Sequence, residues 1–171
     1  ARWRCSLLTS DQQEVPAVAQ LPEELVELLP DAEPFLAAEA EVGAPEQRRG
    51  LVLLHALSGD FDAASSAALA AGHLLGTLPH RTIARLDADL LVDYRARRPR
   101  MSFSGDRYES FDAPEILLSA LEDDSGEPFL LLHGPEPDTH WEAFAKAVRH
   151  VVEVLRVRLT VSMGAVPMAV P

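Results

Sequence analysis

The sequence predicts an α/β domain built on a mixed, largely parallel sheet flanked by helices. Gly50–Leu57 and Phe129–Leu132 are short, continuous apolar runs, the pattern of strands covered on both faces. A turn and then a helical pattern follow each run, Ala63–Ala71 after the first and Trp141–Leu155 after the second. The 171 residues, 47% of them apolar, suffice for one domain with a substantial core.

The second of these units is the most strongly signalled. Gly134, Pro135 and Pro137 stop the strand, and Thr139 stands three residues before Glu142, the spacing of a helix capping box. Trp141, Phe144, Ala145, Val148, Val151, Val152 and Leu155 then recur at helical steps and define one apolar stripe, so Trp141 is expected in the core or packed on the loop. In the first unit, Asp60 or Asp62 can cap a helix of very small side chains that would let it approach the sheet closely.

The remaining elements follow in order. Residues 1–49 read as an acidic, proline-containing, largely extended arm, and residues 50–171 as the α/β domain. Between residues 11 and 46 lie ten acids and no Lys or Arg. Within the arm, Pro22–Leu29 has Pro at the first position and acids after it, as two helical turns would. Thr82–Leu86 is a second strand candidate. Met101–Ser104 and Arg107–Phe111, joined by Gly105 and Asp106, read as a hairpin. Glu115–Leu121 turns back through Asp124–Gly126 to pair antiparallel with Phe129–Leu132, and Val157–Met163 is a last strand rich in β-branched residues.

Composition narrows the function. A formal charge of −12 opposes binding to a phosphate backbone, so no nucleic acid is expected, and it favours solubility or a basic protein partner. No long uncharged apolar run is present, so no membrane span is expected. Cys5 is the only cysteine, and no signal peptide is visible around Trp3–Leu8, so the cytoplasm is the expected compartment. The first strand–helix loop has only Gly59, far short of a cofactor fingerprint, and the histidines at 55, 73, 80, 133, 140 and 150 are scattered. Neither a cofactor nor a metal is expected.

Several motifs nevertheless coincide. Asp60-Phe-Asp-Ala-Ala64 follows the first strand, DYRARRP spans Asp93–Pro99, GPEPD-x-x-W runs from Gly134 to Trp141, and PMAVP spans Pro167–Pro171. In this order and spacing they resemble an actinobacterial branch of the proteasome assembly chaperone two family, from about Gly50 to Pro171. The resemblance implies a fold like that of purine nucleoside phosphorylases and a tendency to self-associate, while eukaryotic and archaeal relatives act in proteasome assembly or bind the proteasome core. It also implies that the C-terminal part of the family fold, including any proteasome-binding tail, continues past PMAVP and is truncated here. Ala64 stands where the family usually has glycine, and the acidic arm has no counterpart.

The candidate binding or interface residues are Asp60, Asp62, Asp93, Tyr94, Arg95, Arg97, Arg98, Glu136, Asp138 and Trp141. Guanidinium groups suit phosphate or carboxylate, and one of two carboxylates on a stiff loop could act as a general base. Equally, these acids and arginines can pair with one another, Asp138 helping to cap the helix and Glu136 meeting an arginine. Two classes of function follow. The first is a non-enzymatic homo-oligomeric scaffold or assembly factor that contacts proteasome subunits or other proteins. The second is a nucleoside phosphorylase- or hydrolase-like enzyme, or a small-molecule binder, using the crevice at the strand ends. Convergence of the charges on one open pocket would favour the second; pairing among themselves favours the first.

Overall fold

The apolar runs assemble into one six-stranded sheet. The computed structural model describes residues 24–37 and 50–168. In chain order these form β1 (Val26–Leu28), a 3-10 turn (Pro30–Ala32), α1 (Glu33–Ala37), β2 (Val52–Ser58), a second 3-10 turn (Ala63–Ser65), α2 (Ser66–Thr77), β3 (His80–Leu86) and α3 (Ala88–Leu91). The hairpin β4 (Met101–Ser104) and β5 (Arg107–Phe111) comes next, then β6 (Ile116–Glu122), β7 (Pro128–Pro135), α4 (Trp141–Val154) and β8 (Leu159–Ser162). The large sheet has the order β1-β3-β6-β7-β2-β8, and the hairpin is a separate two-stranded sheet.

The expected mixed α/β architecture is present, but its largely parallel character needs correction. The pairings β7–β2 and β2–β8 are parallel, whereas β1–β3, β3–β6 and β6–β7 are antiparallel. Both helical crossovers, β2–α2–β3 and β7–α4–β8, do join strands that point the same way. The tight turn at Asp123–Glu127, with Gly126 at φ +78°, instead folds β6 back against β7. That places β6 between the similarly directed β3 and β7.

Side-chain alternation explains the two layers of helix. Leu130 and Leu132 share a core with Phe144, Ala147 and Val151 of α4, while Leu131 packs with Ala67 and Ala71 of α2. The two helices therefore cover opposite faces, and β7 is apolar throughout because neither face meets water. The small α2 side chains let that helix lie close to Ala56 and Leu131, as the alanine run suggests.

Two local expectations are overturned. Within the stretch expected to make two helical turns, Val26–Leu28 is instead strand β1, paired with Ala84–Leu86 of β3, and Leu29 N donates to Ile83 O at 2.8 Å. The ladder completes an otherwise open edge of β3, and Leu25, Val26 and Ala32 become buried in the main core. Residues 24–37 thus belong to the domain's sheet and core, so the boundary drawn at residue 49 does not hold for them. The rest of the expected arm lies outside the described residues. At α4, Thr139 makes no capping box; its hydroxyl donates to Leu90 O at 2.9 Å, and His140, at φ +56°, occupies the cap without a side-chain bond. Contact with α3 has taken the hydroxyl that the capping reading assigned to α4.

Where β7 passes the start of β6, Gly134 adopts φ +130°, and an added Cβ would collide with the Glu115 carbonyl and lie 2.9 Å from Ile116 Cα. Gly134→Ala is therefore expected to lower unfolding free energy by at least about 2 kcal/mol, through positive-φ strain together with the clash. Chemical denaturation checks this, and a variant as stable as the parent would show that β6 and β7 can separate there without loss.

Candidate functional site

The carboxyl ends of β2 and β7 lie side by side, and their connections leave in opposite senses, one to α2 and β3 and the other to α4 and β8. Such a switch point is where open α/β sheets bind ligands. Three loops meet there: Gly59–Asp62 after β2, Glu136–His140 after β7, and Asp93–Arg98 after α3.

Glu136 closes the crevice. Its backbone N–H donates to Ser58 O at 2.9 Å, and its Oε2 accepts from Asp60 N at 2.9 Å. Gly59 is required beneath it, because a Cβ there would lie 2.6 Å from Glu136 Cβ and collide with the carboxylate. Asp60 thus contributes its backbone amide here. Asp62 is committed to α2: Oδ1 accepts from Ala67 N at 2.6 Å and Oδ2 from Ala68 N at 3.3 Å. Ala64 and Ser65, both at φ +56°, turn the chain so that this carboxylate reaches the helix start from outside.

Asp138 ties the other loops together. Its Oδ1 meets Arg97 Nη2 at 2.7 Å, its Oδ2 accepts from Asp93 N at 2.9 Å, and its own N–H donates to Leu91 O at 2.8 Å. Arg97 also points Nη1 at Ser58 O, 3.4 Å away, so one guanidinium spans the ends of β2 and β7. The expected pairings are thereby exchanged: Asp138 takes the arginine and caps no helix, while Glu136 holds a backbone amide. Asp93 accepts from Arg95 N at 2.9 Å and stands 3.6 Å from the well-exposed Arg95 Nε. Tyr94 donates its hydroxyl to Asp89, and this bond together with partial burial raises the phenol pKa above its ordinary value. Arg98 is exposed at the surface.

Beside this closed network, on the α4 face, lies a cavity of about 490 Å³. Leu57 of β2, Leu132 of β7, Phe61 and the Trp141, Phe144 and Val148 side of α4 form its apolar wall, with His55, Glu136 and Ser162 as polar points. Trp141 is 49% exposed and meets Phe144 edge to face at 6.3 Å. Of the two expected placements, core or loop, the core is corrected: at the first turn of α4 the ring is half-exposed and borders the cavity. Of the ten candidates, Glu136 and Trp141 border the cavity. Sequence reading missed His55, Leu57 and Phe61; alternation along β2, which turns His55 and Leu57 toward α4, was the available signal.

On the opposite face, buried Ser119 places Oγ 3.0 Å from His133 Nε2. Burial lowers the His133 pKa from its ordinary 6.5, with His80 adding to the effect and Glu115 opposing it. Burial also lowers that of His55. Among the described residues, no three His, Cys, Asp or Glu side chains gather as metal ligands could, and no helix is long and apolar enough to cross a membrane.

With this geometry in place, comparison with known proteins is informative. The model of the PAC2 family matches residues 56–171. A Mycobacterium tuberculosis protein of unknown function, Rv2714, is 42% identical, with a TM-score of 0.66, covering 81% of this chain and 44% of its own. A Corynebacterium glutamicum protein of unknown function is 34% identical, with a TM-score of 0.71, covering 86% of this chain and 52% of its own. The M. tuberculosis proteasome-assembly chaperone homologue Rv2125 shares the fold at 24% identity, with a TM-score of 0.65 over 71% of this chain and 52% of its own. The chain thus spans about half the length of these structures. No protein of curated function matches it. None of these likenesses is to a nucleoside phosphorylase.

Two consequences can be measured. In a double-mutant cycle, Arg97→Ala and Asp138→Ala should couple by about 1–2 kcal/mol, since the pair is partly buried and charge-assisted; additive losses would mean that each residue acts alone. The second concerns acid. Because the folded His133 resists protonation, the unfolded chain takes up its proton first, so stability present above about pH 6.5 is lost as pH falls through and below that value. His133→Gln should flatten the fall in stability between about pH 7 and 5, and an unchanged slope would assign acid sensitivity to other groups.

Proposed function

The chain belongs to the PAC2 family, and we propose that it works as a non-enzymatic, oligomeric scaffold or assembly factor acting through protein–protein contacts. The observation that carries this reading is the pairing at the strand ends. Asp62, Asp93, Arg97, Glu136 and Asp138 are each engaged with a helix terminus, a backbone amide or one another. The open cavity beside them is mainly apolar. A phosphorylase or hydrolase needs charged groups aimed at its substrate, with a general acid or base within hydrogen-bond reach. Here these five side chains hold loops together, so the small-molecule alternative is not favoured.

The partners in this reading are a further copy of the chain and proteasome subunits, in the cytoplasm. The proteasome assignment draws on family membership and on the named role of the more distant M. tuberculosis homologue. Family likeness alone does not fix function, so the reading must be tested by reconstitution. Purified chain should be mixed with separately expressed proteasome core subunits and followed by native mass spectrometry. The expected result is a complex of defined stoichiometry with core subunits or an assembly intermediate, with the chain absent from the mature particle. Two outcomes would reverse the reading: failure to join any subunit at tens of micromolar, or a stoichiometric nucleoside or phosphate adduct that Arg97→Ala removes.

A further inference from the structure

The cavity on the α4 face carries chemistry that the loop network beside it does not use. Three aromatic rings border it. Trp141 and Phe144 stand at 85° to one another on α4, so their planes form two adjoining walls. Phe61 adds a third from the loop after β2. That ring is exposed, yet its backbone is fixed: Ala165 N donates to Phe61 O at 2.8 Å, and Ala63 N donates to Ala165 O at 3.0 Å. Glu136 borders the same space, held by its own N–H on Ser58 O and by Asp60 N on its Oε2. Among the described residues, its Oε1 has no hydrogen-bond or ion-pair partner. The other polar points bring no positive charge. Burial lowers the His55 pKa and keeps the ring neutral at pH 7, and Ser162 Oγ accepts from Gly164 N at 3.3 Å. Glu142, in the first turn of α4, answers the positive end of that helix.

We propose that this cavity is a docking site for a protein partner's lysine carried beside an apolar side chain. The inference rests on the assembly-factor reading above and gives that reading a contact surface. An ammonium gains from aromatic ring faces and from a carboxylate together, and gains most where both are shielded from water. The lysine stem is apolar and can lie against Leu57 and Leu132 on the way in. A single accepting oxygen fits an ammonium better than a guanidinium fork, which takes both oxygens of a carboxylate, and Asp60 N already holds Oε2. At about 490 Å³ the space exceeds one lysine side chain, and its remaining wall is apolar, so a neighbouring aliphatic residue fills it. An acidic anchor would bring its charge against Glu136 and against a chain of formal charge −12, which attracts basic partners instead.

Nuclear magnetic resonance of the whole chain tests this, with the Trp141 indole N–H as reporter, assigned through Trp141→Phe. The probe is a blocked tripeptide, acetyl-Leu-Lys-Leu-amide, titrated into the millimolar range. An analogue with norleucine in place of lysine keeps the stem and removes the charge. The lysine peptide should move the Trp141 signal saturably, and the norleucine peptide should bind at least about fivefold more weakly. Glu136→Gln retains an acceptor for Asp60 N and loses the charge. It should weaken the lysine peptide by a similar factor and leave the norleucine peptide unchanged, with circular dichroism reporting its folding. The comparison of the two peptides on the wild-type chain stands even where the variant misfolds. Equal binding of the two peptides overturns the cation site. n-Butylamine binding as tightly as the tripeptide would assign the cavity to a free amine and overturn the protein source. A peptide that binds only on dilution of the chain would make a second copy the occupant, which overturns it too. No response to any probe removes the site and leaves the assembly reading standing, because reconstitution with core subunits decides that reading separately.

Discussion

Leu130, Leu131 and Leu132 leave no face of β7 for water, so both sides of the sheet must be covered by helices. From that requirement much of the architecture follows. One crossover helix, α4, lies over Leu130 and Leu132, the other, α2, over Leu131, and the two connections leave β7 and β2 in opposite directions. A crevice between those strand ends is the geometric consequence. Carbonyls and amides that end a parallel ladder must find partners, and here the chain supplies them from its own loops. Ser58 O accepts from Glu136 N, Asp60 N donates to Glu136, and Asp93 N donates to Asp138.

This use of charge ties the acids and arginines beside the strand ends to the fold itself. A carboxylate that accepts two or more hydrogen bonds is held as an acceptor and positioned by its donors. Asp138 lies between an arginine and an amide from the Asp93–Arg98 loop, so it joins that loop to β7. Asp62 likewise closes the start of α2, whose preceding turn is wound by two residues at positive φ. The loops are fastened, and the space left over is lined by leucine, phenylalanine and tryptophan. Surfaces of that character suit contact with other apolar groups better than bond-breaking chemistry.

What could be read from sequence divides along the range of the interactions involved. β2, β6 and β7 were legible because a continuous apolar run encodes two-sided burial locally, and the hairpin because Gly105 encodes its turn and Phe103, Tyr108 and Phe111 are strand-forming, whereas its bulged register was not. β1 was not, since Glu and Leu around residues 23–29 favour a helix until the free edge of β3, more than fifty residues away, offers a ladder. Thr139 failed as a cap for the same kind of reason: its partner is a carbonyl forty-nine residues earlier. The candidate residues lie on neighbouring loops, yet which carboxylate would take Arg97 depended on loop conformations that no short motif specifies.

Charge distribution links the core to the surface. Asp62, Asp93 and Asp138 are each held by the fold's own donors. The aromatic residues that the core did not need are concentrated on β4–β5, where the bulge at Glu109 turns an alternating strand into one with a single apolar face. Without that extra residue Tyr108 would point with the serines, and Phe103 would stand without its ring partner. A bulge that gathers apolar side chains outward does nothing for a monomer in water. It makes physical sense only if the gathered face is covered.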